Sequence, residues 1–398
     1  MVDIKKTVLH GGLIAAGMLG ASLAQAVELG TYNNTKVKVG GYLKLDAMFT
    51  ELDEGTWPAN AWYRDFYVPS TVPVESDTTE SEGMTFDMHA RQSRFNLGTE
   101  TEIDGHTLKT YIEMDFMTTS NGNERVSNSY SPRLRHAFLT YDNWLFGQTW
   151  STFQNVGALP ETVDFIGNTD FGIFVRQTQI RYTAGDFQFS IENPETTITP
   201  NDGGARIVAD DNPLPDFVAR HNLTAGGLNL TTAVLVRQLA YNNEATAVGD
   251  EEIDSTTTSY GLSVSGKYAF GKDDIRFGIN TGKGMGRYIG LNVANGAVID
   301  DNGDLEAIDS TAVYVAYRHF WSDKWRSNFT YSAIDIDNDT DLTGEFVTSS
   351  TESYRANIFF SPVKNLSFGG ELALANREIE TGAEGSMTRV QFTAKLAF

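Results

Sequence analysis

From Val390 to the final Phe398 of the chain, every second residue is apolar or small: Val390, Phe392, Ala394, Leu396 and Phe398. A period of two puts these on one face of an extended strand and Arg389, Gln391, Thr393 and Lys395 on the other. The same alternation recurs along the chain, as in Leu228, Leu230, Thr232, Val234 and Val236 against Asn229, Thr231, Ala233, Leu235 and Arg237. It predicts strands near 36–50, 84–100, 105–117, 132–141, 143–150, 175–184, 186–194 and 214–225. The second half adds 227–239, 256–270, 272–281, 309–320, 323–333, 351–361, 364–377 and 386–398. No stretch beyond residue 26 reaches the roughly 20 apolar residues of a membrane helix.

The connections alternate in length. Asp142-Asn143, Gly185-Asp186, Gly226-Gly227 and Gly271-Lys272-Asp273 are hairpin turn sequences. Between them lie long segments near 51–83, 118–131, 151–174, 195–213, 240–255, 282–308, 334–350 and 378–385. A soluble sandwich has no reason to alternate this way, whereas an outer-membrane barrel carries tight periplasmic turns and longer outer loops. The predicted fold is therefore all-β: a transmembrane antiparallel β-barrel of about 16 strands, an even number as closure of this class requires. Tyr141, Trp144, Tyr182, Phe187, Phe270, Phe320, Trp325, Phe360 and Phe398 gather at the short-turn ends as an interfacial girdle. The preference of aromatic residues for strands accounts for part of that clustering.

At the N-terminus, Lys5 and Lys6 precede an apolar run from Val8 to Leu23 that closes in Ala24-Gln25-Ala26. This is the pattern of a secretory signal peptide, residues 1–26, cleaved after Ala26. Residues 27–398 are left as one barrel domain in the outer membrane of a Gram-negative cell. The absence of cysteine removes disulfides, thiolate zinc sites and thiol catalysis. With 52 acidic against 30 basic residues and a formal charge of -22, no nucleic-acid partner is expected. His89, His106, His136, His221 and His319 are scattered over different hairpins and pair with no nucleophile, so an enzyme is not expected, and neither is a cofactor or a metal. Asp335, Asp337, Asp339 and Asp341 resemble a calcium loop but lack its glycine and closing glutamate. They are expected to form a solvated acidic loop that bridges divalent cations to lipopolysaccharide.

Charge is segregated. Residues 51–82, 244–254, 300–309 and 335–345 hold 23 acidic residues against one basic residue, Arg64. The cations lie in the strands, opposite the apolar face: Lys44, Arg94, Arg133, Arg135, Arg181, Arg220, Arg237, Arg276, Arg326, Arg355 and Arg389, with Lys109, Lys267, Arg318 and Lys395. A lipid-facing arginine near the midplane costs about 2–4 kcal/mol, so these side chains are expected to line the lumen. Two arrangements are open to them: a salt-bridge lattice with Glu113, Asp115 and Glu371, or a positive potential that concentrates anions. Each can hold for different residues.

The segment 151–174 is unusually apolar for an outer loop, with Phe153, Val156, Leu159, Val163, Phe165, Ile166, Phe171 and Phe174. It is expected to fold into the lumen as a constriction loop. That would place Glu161, Asp164 and Asp170 across from the basic residues of the first four strands, with a transverse field between. The expected function is passive diffusion of small hydrophilic solutes with a preference for anions. The alternative is a barrel with a closed lumen that serves as an adhesin or receptor through its long loops.

Several short motifs carry a family resemblance: Ser93-Arg94-Phe95, Arg133-Leu134-Arg135-His136-Ala137, Gly147-Gln148-Thr149-Trp150-Ser151-Thr152-Phe153, Leu159-Pro160-Glu161-Thr162-Val163-Asp164-Phe165 and Arg176-Gln177-Thr178-Gln179-Ile180-Arg181-Tyr182. Together they resemble the DcaP-like trimeric porins of Gram-negative outer membranes. The resemblance implies a sixteen-stranded homotrimer that admits small anions, including dicarboxylates such as phthalate-like compounds, with Arg94, Arg133 and Arg135 in matching motifs. Some members of that family begin with a periplasmic coiled coil. Here the first strand is expected within about ten residues of Ala26, without such a segment.

Overall fold

The structure is a computed structural model that describes residues 26–75, 80–81, 83–119, 122–243 and 252–398. The segment read as a signal peptide, apart from Ala26, and the acidic residues of 244–251 lie outside the described residues. Sixteen antiparallel strands form the wall: β1 (Thr35–Leu52), β2 (Thr85–His89 continued by Arg94–Ile103), β3 (His106–Asp115), β4 (Arg133–Tyr141), β5 (Trp144–Trp150), β6 (Arg176–Ala184), β7 (Phe187–Glu192) and β8 (Asp216–Ala225). They are followed by β9 (Leu228–Asn243), β10 (Ile253–Phe270), β11 (Asp273–Lys283), β12 (Asp309–Phe320), β13 (Trp325–Asp337), β14 (Thr348–Val363), β15 (Leu366–Ile379) and β16 (Glu384–Ala397). Each strand pairs with its neighbour in sequence. The ring closes where β16 meets β1, from Tyr42 opposite Ala397 to Leu52 opposite Met387. Closure leaves no open edge in the hydrocarbon, where an unpaired backbone group has no water to turn to.

The two faces sort as the period of two demands. In β16, Phe392 and Leu396 are exposed on the outer wall while Arg389 and Gln391 are buried inside. The girdle is present at the short-turn end, with Trp144 on Tyr182 at 4.7 Å and Trp325 on Phe360 at 4.6 Å between ring centroids. Phe320 departs from it: it pairs across from Arg326 and turns inward under the Arg318 guanidinium, leaving Tyr317 and Trp321 at the outer rim. Asp335 and Asp337, expected in a loop, lie instead on the outer end of β13.

Alternation fails once in an informative way. Glu113 pairs with His136 and Met114 with Leu134, so Arg135 is an extra residue in β4. A β-bulge sets two consecutive side chains on one side of the sheet. Arg135 and His136 are both buried inside, and the outward positions resume at Ala137, opposite the exposed Ile112, and Leu139.

Short elements outside the wall escaped the pattern. Val27–Tyr32 forms a hairpin with the start of β1. Thr196–Thr199, Ile207–Ala209, Ala297–Ile299 and Leu305–Ala307 form a small sheet built from the β7–β8 and β11–β12 loops. The wall itself is interrupted at residues 90–93, within the single segment that the alternation predicts.

The lumen is not open throughout. Phe153, Ala158, Phe171 and Ile173 of the β5–β6 loop, with Tyr288, Ile289 and Val293 of the β11–β12 loop, pack on the inward faces of β8, β9, β12 and β13. Burying a phenylalanine contributes about 1.5–3 kcal/mol, so four such contacts suffice to hold a loop inside. The wall makes room for it with glycine at inward positions. A Cβ on Gly278 would stand 2.5 Å from Phe171 and 2.8 Å from Tyr314. Gly278→Val should therefore dislodge the loop without opening the ladder: the variant keeps the heat-modifiable gel migration of a folded barrel but shows larger, noisier single-channel currents. Unchanged conductance would show that the loop does not depend on this contact.

Candidate functional site: the loop-lined constriction

The β5–β6 loop runs around the inner wall, fastened strand by strand. Asn155 Nδ2 donates to Ser265 Oγ on β10 at 3.1 Å, and Arg276 of β11 and Tyr314 of β12 donate to the carbonyls of Leu159 and Ala158. Asn357 of β14 donates to the Glu161 carbonyl at 3.0 Å. The Val163 amide donates to Glu371 of β15 at 2.9 Å, and Lys44 Nζ of β1 donates to the Val163 carbonyl at 2.8 Å. These bonds satisfy a buried, irregular backbone that would otherwise be expensive to hold away from water.

Each loop carboxylate is engaged by neighbouring side chains. Glu161 is gripped by Arg326, with Nε 2.8 and 3.0 Å from its two oxygens, and Arg318 lies 3.6 Å away. Asp164 is buried, accepts from the Tyr67 amide at 3.1 Å, and lies 4.0 Å from Arg355 and 3.9 Å from Arg389. Asp170 accepts from Tyr67, Ser332, Thr351 and Ser353 at 2.5–2.7 Å. All three are thus engaged by β12–β16 and the β1–β2 loop. The transverse field expected from the sequence would require free carboxylates on the lumen side, and these are neutralised or fully hydrogen-bonded.

The wall of β2–β4 carries the opposite imbalance. Arg94, Arg133 and Arg135 share two carboxylates, Glu113 and Asp115. Arg135, brought in by the bulge, is fully buried 2.8 Å from Glu113 and 3.1 Å from Asp115. Arg133 holds Asp115 with two bonds of 2.9 Å, and Arg94 reaches Glu113 only at 3.5 Å. The side chains of Arg94 and Arg133 remain 17% and 20% exposed, so the surplus positive charge meets water there. Facing them are loop aromatics: Phe165 lies under both Arg133 and Arg135 at 5.7 Å and packs on Phe66 and Phe174 at 5.3 Å.

The remaining predicted cations divide into posts and lining. Arg181, Arg220 and Arg237 point inward but are covered by loops: Arg181 bonds the Trp150 carbonyl, Arg220 the Gln154 carbonyl, and Arg237 pairs with Asp216 at 3.2 Å. Arg355 and Arg389 are covered likewise, Arg355 against Glu371 at 3.2 Å and Arg389 against Thr50 and the Arg64 carbonyl. Lys44, Arg276 and Arg326 keep polar or partly exposed surroundings, with Asp46, Asp274 and Glu161 respectively. Alternation gives the side of the wall, but it cannot show which inward residues a returning loop covers.

Two further cations belong to the site and carry no alternation signal. Arg176, at the foot of β6, stacks on Trp150 at 4.8 Å and on Phe174 at 5.4 Å. Arg91 sits in the break of β2, 2.9 Å from Asp65 and 2.8 Å from Glu124, over the Tyr130 ring at 4.2 Å. Asp65 comes from the β1–β2 loop, which packs Phe66 and Val68 against Met117 and Ile166. Burial pushes its carboxyl up to about 7 against the opposing pull of Arg91, with Asp87 and Glu124 adding to the rise and Arg389 offsetting part of it. His89 lies 3.7 Å away.

A model of the DcaP outer membrane protein family matches residues 29–398. The chain belongs to the DcaP outer membrane protein family. A search of curated proteins returns no match. Among solved structures, the DcaP outer membrane channel of Acinetobacter baumannii superposes with a TM-score of 0.74 at 22% identity, covering 94% of this chain and 100% of that one. The anion-selective porin from Comamonas acidovorans gives 0.55 at 13%, covering 92% and 100%. In-vitro folded OmpT of Vibrio cholerae, in its trimer form, gives 0.56 at 12%, again covering 92% and 100%. Family and fold together make this DcaP-family barrel an outer-membrane channel.

The buried Asp65 carboxyl gives the constriction a pH dependence. The folded state binds the Asp65 proton more tightly than the unfolded chain does. That contribution to stability is fully present below pH 4 and is lost as pH rises from about 4 to 7. Protonation also removes a negative charge beside Arg91. Anion preference should therefore increase as pH is lowered from 8 to 6, and Asp65→Asn should flatten that change in reversal-potential measurements. A native profile that is already flat over this range would show that Asp65 does not titrate within it.

Proposed function

We propose that this channel passes small hydrophilic solutes by passive diffusion and prefers anions, dicarboxylates among them. The supporting observation is the charge mismatch at the constriction: Arg94 and Arg133 reach water from a wall with three guanidinium groups for two carboxylates, while the loop acids opposite are consumed by other partners. In a narrow lumen with low-dielectric walls, such a surplus raises the local anion concentration. Guanidinium forks suit carboxylates because they offer two parallel hydrogen bonds. Each binding step must remain weak for the solute to leave. The Comamonas porin of the same fold is described as anion-selective.

The same reading takes the mature protein to begin after a signal peptide cleaved at Ala26 and to assemble as a homotrimer, as the trimer form of the Vibrio barrel illustrates. Its outer wall meets membrane lipid, and its acidic outer loops meet lipopolysaccharide through divalent cations. Neither catalysis nor energy coupling is part of it.

The test is the reversal potential of the purified protein in a planar bilayer under a potassium chloride gradient. A unit charge about 6 Å from the ion path in water contributes about 0.7 kcal/mol. Because that energy favours an anion and disfavours a cation, Arg94→Gln and Arg133→Gln should each lower the anion-to-cation permeability ratio about tenfold. Cation selectivity in the native protein would refute the anion reading, and absence of any current would favour a closed barrel that acts through its loops. Arg135→Ala is the wrong probe: it removes the most deeply buried guanidinium from a shared network and leaves a hole beside Glu113 and Asp115, so its effect should appear as lost folding yield.

A further inference from the structure

Toward the periplasmic end, beneath the β5–β6 loop, lies a chamber of about 280 Å³. Four cations line it, Lys44, Arg326, Lys364 and Lys395, against a single carboxylate, Glu161. Glu161 is already gripped by Arg326 and approached by Arg318. Lys44 is likewise occupied, by Asp46 at 3.0 Å and by the Val163 carbonyl. Lys364 and Lys395 are not: among the described residues no carboxylate lies within 4 Å of either ammonium, and Lys395 rests over the Tyr42 ring at 4.2 Å. The rest of the lining is rich in hydroxyl and amide groups, including Ser361, Ser367, Thr393 and Asn365.

We propose that this chamber is a binding site for a phosphate dianion, as inorganic phosphate or as the phosphate of a small phosphomonoester, adjoining the guanidinium wall, whose Arg94 lies over the same Tyr42 ring as Lys395. The assignment rests on the anion reading of the channel and specifies one class of anion within it. An ammonium is a compact charge with three donors free to rotate, and it has no planar fork to match a carboxylate. Two such groups with hydroxyl and amide donors around them can meet a tetrahedral oxyanion from several directions. Arg94 and Arg133, by contrast, present planar forks. A dianion that has passed the constriction thus enters a compartment where unneutralised ammonium groups await it. The donors come from three places in the chain: the turn after β14, the start of β15 and the end of β16.

The experiment uses the full-length protein in planar bilayers at pH 8, where inorganic phosphate is mainly the dianion, with millimolar phosphate or succinate added to a chloride-carrying channel. Phosphate should reduce the chloride current at a concentration at least threefold lower than succinate. Lys364→Gln, on an exposed turn, and Lys395→Gln should each raise the phosphate concentration needed at least threefold, and Lys395→Arg should restore most of the block. The succinate response should change less than the phosphate response in these variants, and the reversal potential should move toward weaker anion preference while remaining anion-selective. Equal block by both anions, or phosphate block that survives both Lys→Gln changes, would overturn the proposal while leaving the anion reading intact. A cation-selective native channel would instead refute the anion reading itself.

Discussion

Everything in this molecule depends on a ladder without ends. Once β16 pairs with β1, each wall strand has a partner on both sides, and no backbone polar group has to meet acyl chains unpaired. Closure also fixes two environments for every strand, one greasy and one wet, and so converts a period of two into a sorting rule for charge. The guanidinium groups are inside because the outside would not tolerate them. The chemistry of the lumen is in that sense a by-product of satisfying the membrane.

That sorting rule explains what the sequence reveals and what it conceals. Wall strands such as β12 and β16 are legible because each residue reports one of two solvents. The bulge at Arg135 is hidden because an inserted residue changes the phase without changing composition. The small sheet of Thr196–Thr199 and Ala297–Ile299 is hidden for another reason: its strands are buried on both sides and too short to alternate. Alternation likewise named Arg181 and Arg220 as lumen-facing, but their covering by a loop is a long-range fact, set by apolar side chains such as Phe153 and Phe171 finding glycine-lined hollows in the wall.

The acidic excess of the chain and the basic character of its constriction are compatible because they occupy different depths. Most of the surplus acids belong to the outer loops and outer strand ends, in reach of screening ions, where charges separated by more than about 8–10 Å scarcely interact at physiological salt. Inside, the carboxylates that could cancel the arginines are spent on structure: Asp170 ties the β1–β2 loop to β13 and β14, and Glu371 holds the constriction loop by its backbone. The balance seen by a permeating ion is the residue of these engagements and bears little relation to the total.

Against β8, β9, β12 and β13 the interior is filled by one apolar cluster that includes Tyr288, Phe171 and Tyr314. The partly exposed Arg94 and Arg133 lie outside that cluster, on β2 and β4. Partly exposed side chains of this kind can be substituted with less disturbance of packing than the buried cluster, which anchors both inner loops. Selectivity and robustness are thus lodged in different arcs of a single circle.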